Sequence, residues 1–166
     1  MDPEKIIRGR RILIVDDEED VLETLIDLLA MCRIDTATSF EEGKELLESR
    51  DYDVAVLDIM GVKGFDLLDI AVSRNIPALM LTAHALSPES LKKSIKLGAV
   101  TFLPKEKMSE LSSYLEDVYT EGGKPIWKKL FDRMGGYFNK RFGPDWKEKD
   151  KFFKEFEEEL KKDLSD

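Results

Sequence analysis

The sequence predicts an α/β fold, namely a doubly wound five-stranded parallel sheet with a C-terminal α-helical extension. Short apolar runs alternate strictly with segments of helical period over residues 1–121, a pattern typical of parallel strands covered by helices on both faces. Residues 122–166 differ, because they hold 9 of the 15 aromatic residues and a charge of +2, against −11 for residues 1–121. We therefore predict a domain over 1–121 and a helical hairpin over 122–166.

The five predicted strands are short and apolar, and the second is the weakest of them. They are RILIV (11–15), RIDTA (33–37), VAVLD (54–58), PALML (77–81) and VTFL (100–103). Helical signals fill the gaps between the strands: an apolar face over 20–31, a capping-box spacing at Ser39 and Glu42, Ser87 followed by Pro88, and apolar residues at helical spacing over 107–120. Five strand–helix pairs with right-handed crossovers make the doubly wound arrangement the simplest solution.

The C-terminal extension has two predicted helices. Apolar residues at a spacing of three and four follow Trp127 as far as Phe138, and Gly135 with Gly136 predicts a bend or an early end. Gly143-Pro144 separates this helix from a second one. The spacing of Asp145 and Glu148 predicts the start of that second helix, and Phe153, Phe156 and Leu160 form its apolar stripe.

Composition excludes several classes of function. The net charge of −9 argues against nonspecific nucleic-acid binding, and the single cysteine, Cys32, allows no disulfide within the chain. The N-terminus MDPEKIIRGR lacks an apolar signal core, and the longest apolar run, 76–86, is too short to span a bilayer. We predict a cytoplasmic protein that neither binds nucleic acid nor inserts into a membrane.

Polar residues follow the ends of four predicted strands. Asp16 and Asp17 follow the first strand, Asp58 ends the third, Thr82 follows the fourth, and Lys105 comes shortly after the fifth. Ligands of doubly wound sheets collect at the carboxyl ends of the strands, so these side chains are expected to converge. Three carboxylates together repel one another unless a cation binds, and an oxygen-rich site with room for water suits Mg²⁺. A carboxylate beside such a cation is a competent phosphoryl acceptor, with a hydroxyl and an ammonium group to bind the phosphoryl oxygens.

This ordered set, VDD at 15–17 with Asp58, Thr82 and Lys105, resembles the receiver domain of bacterial two-component response regulators over roughly residues 8–121. Phe102 falls at the aromatic switch position of that family. The resemblance implies a flavodoxin-like (βα)5 fold and a signalling protein that catalyses only its own phosphotransfer and dephosphorylation.

The resemblance also implies a role for each residue. Asp58 would accept a phosphoryl group from a sensor histidine kinase or a phosphotransfer protein. Magnesium would be held by Asp17 directly, Asp16 through water, Asp58 and the backbone carbonyl of Met60. Thr82 and Lys105 would bind phosphoryl oxygens, and on activation Thr82 would move inward with Phe102 following. The extension over 122–166, with a charge of only +2, is expected not to be a DNA-binding output domain.

Two positions in the sequence depart from the family pattern. The loop after Asp58 lacks the usual proline and is about two residues short, so Gly61 and Gly64 are expected to close a tighter turn. Pro104 precedes Lys105 rather than following it, so no cis bond is expected after the lysine. The resemblance implies that Met60 and His84 occupy positions that tune water attack on the phosphoryl group, and a bulky Met60 there predicts slow dephosphorylation. His84 could orient water or bind a partner, or be an ordinary partly exposed histidine.

Alternatives remain at this level. Asp16 and Asp17 alone could be acids at a helix start, as Glu18, Glu19 and Asp20 are predicted to be. A phosphorylation-independent interaction or dimerisation module is one alternative function, and a hydrolase with Asp16 as its nucleophile is another, although such enzymes carry D-x-D rather than adjacent aspartates. The extension could fold on the receiver, pair with a second copy to form a homodimer, or dock another protein through aromatic anchors at 127, 131 and 146.

Overall fold

The computed structural model describes residues 6–163. Its five strands are β1 Arg11–Val15, β2 Arg33–Ala37, β3 Val54–Asp58, β4 Ala78–Thr82 and β5 Thr101–Pro104. They form one sheet in the order β2-β1-β3-β4-β5, and every neighbouring pair is parallel. The predicted fold class is confirmed, and the last two strands each begin and end one residue later than predicted. The N-terminal stretch predicted to lack a signal core falls partly on residues 1–5, outside the described residues.

Five helices connect and follow these strands: α1 Glu19–Leu28, α2 Phe40–Ser49, α3 Gly64–Ser73, α4 Pro88–Lys96 and α5 Leu111–Thr120. Two predicted caps are present, because the side chains of Ser39 and Ser87 accept hydrogen bonds from backbone N–H groups three residues on. The helix predicted over 107–120 is divided, since a 3₁₀ helix, Lys105–Glu110, precedes α5. Lys105 is therefore the first residue of this 3₁₀ helix, directly after the end of β5.

The C-terminal extension forms two helices, α6 Trp127–Phe142 and α7 Lys151–Asp163. Of the two outcomes predicted at Gly135-Gly136, the early end is wrong, because α6 runs through both glycines without interruption, and the bend stays a prediction. The helical penalty of two glycines, about 1 kcal/mol each, is outweighed by five buried apolar side chains on the same helix: Trp127, Leu130, Phe131, Met134 and Phe138.

The predicted start of the second tail helix at Asp145 is also wrong. Residues 144–149 form consecutive turns, in which Lys149 N–H donates to the Asp145 carbonyl, and α7 begins only at Lys151. The side chain of Asp150 accepts a hydrogen bond of 2.8 Å from the Phe152 N–H, so Asp150 is the cap that Asp145 was predicted to be.

The extension packs on the sheet of its own chain. The Ile126 N–H donates to the Val100 carbonyl at 2.8 Å, and the ring of Phe138 makes an edge contact with Phe102 of β5 at 6.4 Å. An ion pair of 2.5 Å between Lys92 of α4 and Asp150 fastens the start of α7. The helices thus cover the β5 end of the sheet. The division at residue 121 stays a prediction, with α5 ending at Thr120 and α6 beginning at Trp127.

Across the part of the chain that the structure describes, no helix has both the length and the apolar character needed to cross a membrane.

Candidate functional site

Three aspartates meet at the carboxyl end of the sheet because β1 and β3 are neighbours. Val15 is paired with Leu57, which places Asp16 and Asp17 beside Asp58. One oxygen from each carboxylate lies within 4.8 Å of the others. Asp16 is fully buried and Asp58 is 5% exposed, whereas Asp17 is exposed to solvent. The convergence expected from the strand ends is therefore present.

Lys105 lies within the same cluster. Its ammonium Nζ is 2.9 Å from Asp16 Oδ2, 3.3 Å from Asp58 Oδ1 and 3.1 Å from Glu18 Oε2, and the residue is only 8% exposed. A buried lysine with three carboxylate partners holds its side chain in one position. The predicted placement of Lys105 beside Asp58 is thus observed, with Pro104 before it and no cis peptide bond among the described residues.

The charges of this cluster perturb one another. Burial raises the pKa of Asp58 to about 7, the charge of Asp16 adds to the rise, and the Lys105 ammonium opposes it. Burial likewise raises the pKa of Asp16. Burial alone would lower the pKa of Lys105, but the hydrogen bond to Asp16 and the charge of Asp58 raise it above its ordinary value. Lys105 therefore stays a cation, and a further cation at the aspartates would favour their ionised forms.

The short loop after Asp58 closes on two glycines. Gly61 has a φ of +88°, and a Cβ there would lie 2.5 Å from the Asp17 carboxylate. A Cβ at Gly64 would overlap the carbonyl oxygen of Asp58. The loop passes so close to the aspartates that only glycine fits at these two positions. The sequence predicted a tighter turn here, but not this approach to the aspartates.

The aspartates and the loop fit a hard divalent cation. Three carboxylate oxygens converge at the distance one ion can bridge, and Gly61 keeps the space beside Asp17 free of a side chain. Met60, whose backbone carbonyl was predicted to complete the set, follows Asp58 by two residues, and its side chain is 54% exposed.

Thr82 and His84 lie beside a recess next to the aspartates. Thr82 is buried at the end of β4, and its hydroxyl oxygen accepts a hydrogen bond of 3.1 Å from the Ala85 N–H. The recess has a volume of about 270 Å³, and Thr82, His84, Lys105 and Arg141 are among its lining residues. His84 is largely exposed, with its Nε2 at 4.0 Å from Glu18 Oε1.

Two residues of this neighbourhood were not predicted as part of the site. Glu18 was interpreted only as an acid at a helix start, yet it is an ion-pair partner of Lys105 and provides no side-chain cap for α1. Its position directly after the two site aspartates was the available signal. Arg141 comes from α6, 36 residues after Lys105, and no local pattern places it at the recess.

Phe102, the predicted switch residue, is fully buried against Phe138.

Comparisons with known proteins agree with this geometry. A family model for the response regulator receiver domain matches residues 12–116. A two-component response regulator of Arabidopsis thaliana is 32% identical over 129 residues, which are 74% of this chain and 20% of that protein. The response regulator protein PilR of Pseudomonas aeruginosa is 33% identical over 102 residues, which are 58% of this chain and 23% of that protein. The match to the Arabidopsis protein thus spans only about a fifth of its length.

Solved structures show the same fold. The chemotaxis protein CheY4 of Vibrio cholerae has a TM-score of 0.60 and 27% identity, over 66% of this chain and 98% of that one. A CheY-like response regulator receiver domain protein of Methanospirillum hungatei has a TM-score of 0.58 and 24% identity, over 69% of this chain and 99% of that one. The relatives include plant and bacterial proteins, so a bacterial origin stays a prediction. Because the family match spans more than half of the chain and includes every predicted site residue, the chain belongs to the response regulator receiver domain family.

Proposed function

We propose that the chain is the phosphoacceptor of a two-component phosphorelay, with Asp58 as the residue that is phosphorylated. The observation that carries this proposal is the contact of Asp58, a nearly buried carboxylate, with the Lys105 ammonium at 3.3 Å, beside two further aspartates. That arrangement supplies a nucleophilic oxygen, a cation for the incoming phosphoryl group and acids for a metal ion.

The transfer follows from these groups. A carboxylate oxygen of Asp58 attacks the phosphorus of a phosphohistidine on a sensor histidine kinase or a phosphotransfer protein. An O–P bond forms as the P–N bond breaks, and the electron pair returns to the imidazole nitrogen, which takes up a proton. The Lys105 ammonium and the Thr82 hydroxyl then bind the phosphoryl oxygens.

The proposal includes Mg²⁺ held by Asp16, Asp17, Asp58 and the Met60 carbonyl. The ion would offset the negative charge that otherwise repels the incoming phosphoryl group. Met60, with its exposed apolar side chain, and His84, at the edge of the recess, would tune water attack on the acyl phosphate. Signalling by an inward movement of Thr82, with Phe102 following, is part of the same proposal.

The proposal extends to partners, location and assembly. Membership in the family supports a kinase or phosphotransfer protein as the donor, a signalling role rather than that of a separate enzyme, and a cytoplasmic location. It also argues against the hydrolase alternative. The apolar faces of α6 and α7 contain residues buried within their own chain, such as Phe138 and Phe153, so a homodimer through these helices would have to use other surfaces of the helices.

Intact-mass analysis after incubation with Mg²⁺ and acetyl phosphate tests the proposal. The parent protein is expected to gain one phosphoryl group, and Asp58→Asn to gain none. Asp69→Asn serves as the matched control, because Asp69 is an exposed aspartate on α3, and this variant is expected to label like the parent. Equal labelling of the parent and Asp58→Asn would move the acceptor elsewhere. A parent that stays unlabelled beside a labelled reference receiver would instead favour the phosphorylation-independent interaction module.

A further inference from the structure

The turn that carries Lys105 is held by the C-terminal extension. Glu106, the next residue, accepts hydrogen bonds through its Oε1 from the Tyr137 hydroxyl and from Arg141 Nη1, the latter at 2.7 Å. Tyr137 and Arg141 are four residues apart on α6, so they lie on the same face of that helix. The Glu106 carboxylate of the turn is thus hydrogen-bonded to two side chains of the extension.

A second contact holds the chain on the other side of Lys105. The ring of Phe138, the neighbour of Tyr137, packs edge-on against Phe102, and both residues are fully buried. Phe102 precedes Lys105 by three residues and Glu106 follows it by one. Helix α6 therefore contacts side chains of the residues before and after the lysine, which restricts where the ammonium can lie.

The extension also reaches the site itself. Arg141 lines the same recess of about 270 Å³ as Thr82 and Lys105. Lys107 adds a further contact, because its ammonium lies 5.6 Å from the centre of the Tyr137 ring. A movement of α6 would change the wall of the recess and the position of the Lys105 turn together.

We propose that Tyr137 and Arg141 position Lys105 through Glu106, so that docking of the C-terminal extension and phosphorylation of Asp58 are coupled. This inference rests on the proposed phosphoacceptor function. Coupling between two sites is reciprocal in free energy. The docked extension favours the Lys105 position that binds the phosphoryl group, and phosphorylation in turn changes how firmly residues 137–141 are held.

Two ion pairs made by α6 allow a positioning role to be distinguished from a merely structural one. Glu106 and Arg141 are both exposed, and exposed ion pairs contribute little to stability. Arg133 offers a control on the same helix, because its contacts are with α5 instead: its guanidinium pairs with Asp117 at 2.8 Å and lies 4.7 Å from the centre of the Tyr114 ring. Loss of either set of contacts should lower the melting temperature, but only loss of the Glu106 contacts should slow phosphorylation.

The experiment compares full-length variants in Mg²⁺ with acetyl phosphate, following phosphorylation by intact mass over time. The double variant Tyr137→Phe/Arg141→Ala is expected to be phosphorylated about 5-fold more slowly than the parent, Arg133→Ala at the parental rate, and Arg141→Lys at an intermediate rate because it keeps the charge. Equal rates for the double variant and Arg133→Ala would overturn the inference. An unlabelled parent would instead overturn the proposed function, and this inference with it.

Hydrogen exchange supplies the reciprocal measurement. Addition of acetyl phosphate and Mg²⁺ to the parent is expected to change amide protection over 137–142 at least twofold, and the same addition to Asp58→Asn is expected to leave it unchanged. Protection that stays constant in a fully phosphorylated parent would contradict the coupling, while leaving the phosphoacceptor function intact.

Discussion

Phe138 is the fully buried centre of the contact between the C-terminal extension and the sheet. Its ring lies 5.5–6.5 Å from five other aromatic rings, those of Phe102, Phe131, Tyr137, Phe142 and Trp146. Replacing a buried phenylalanine by alanine costs about 3–5 kcal/mol, since the lost transfer free energy adds to that of the cavity left behind. Because the removed ring would leave a cavity lined by five aromatic side chains, Phe138→Ala is expected to lower the free energy of unfolding by about 4 kcal/mol.

Urea unfolding measures this loss with two independent probes. Both tryptophans, Trp127 and Trp146, lie in the extension, so their fluorescence reports on it, whereas far-UV circular dichroism reports on all helices and strands. The buried residues of the extension and of the sheet form one continuous core. The two transitions of the parent are therefore expected to coincide.

Phe152→Ala is the matched control, because Phe152 is a half-buried phenylalanine of α7 that stacks on Phe156. It is expected to cost about half as much as Phe138→Ala. A loss below about 1 kcal/mol for Phe138→Ala would refute the reasoning. So would a fluorescence transition of the parent that clearly precedes the loss of circular dichroism, since the extension would then unfold separately from the sheet.

Three further substitutions have expected outcomes of different sign. Gly136→Ala, at an exposed helical position with no atom within 4 Å of the added Cβ, should raise the free energy of unfolding by about 1 kcal/mol in urea titrations, and a loss would indicate a strained helix. Gly61→Ala should weaken Mg²⁺ binding at least tenfold by calorimetry, because its Cβ would displace the Asp17 carboxylate; unchanged affinity would exclude that carboxylate from the metal site. Tyr52→Phe removes the 2.7 Å hydrogen bond that, with Arg50, lowers the pKa of Asp35, and should cost about 1 kcal/mol at pH 7. A lowered carboxyl pKa contributes stability that is fully present above its unfolded value of 3.8 and is lost as the pH falls through the lower folded value. The gap between Tyr52→Phe and the parent should therefore narrow as the pH falls below about 4, and a constant gap would contradict this sign.

Much of the fold was predictable because its signals are local. The strands of a parallel sheet covered on both faces are short apolar runs, and β3 and β4 are buried at every residue. Asp16, Asp58 and Lys105 were predictable for a related reason: each lies at or beside a strand end, and parallel strands bring their carboxyl ends to one edge. Their positions relative to the predicted strands were therefore enough to predict that these residues lie close together.

Other features depend on contacts that no local pattern encodes. An apolar stripe such as that of α6 shows that the helix is buried, but not against which surface, so three arrangements of the extension remained open. Gly135 and Gly136 predicted an early helix end as one outcome because propensity is counted residue by residue, whereas the burial of Phe131, Met134 and Phe138 acts on the whole helix. The second role of Glu18 arises from an ion pair across 87 residues, a separation at which charge alone gives no signal.

The two edges of the sheet are protected in different ways. On β2 the edge carries the charged side chains of Arg33 and Asp35, which discourage another strand from adding there. On β5 the edge is apolar; the Ile126 N–H bonds to the Val100 carbonyl just before the strand, and α6 packs against the strand through Phe138. A fragment cut at residue 121 would expose the Phe102 ring and an unpaired strand edge, and would tend to aggregate edge to edge. Self-association of such a fragment would result from the surface exposed by truncation and not from a property of the full chain. The oligomeric state is therefore best measured on the intact chain.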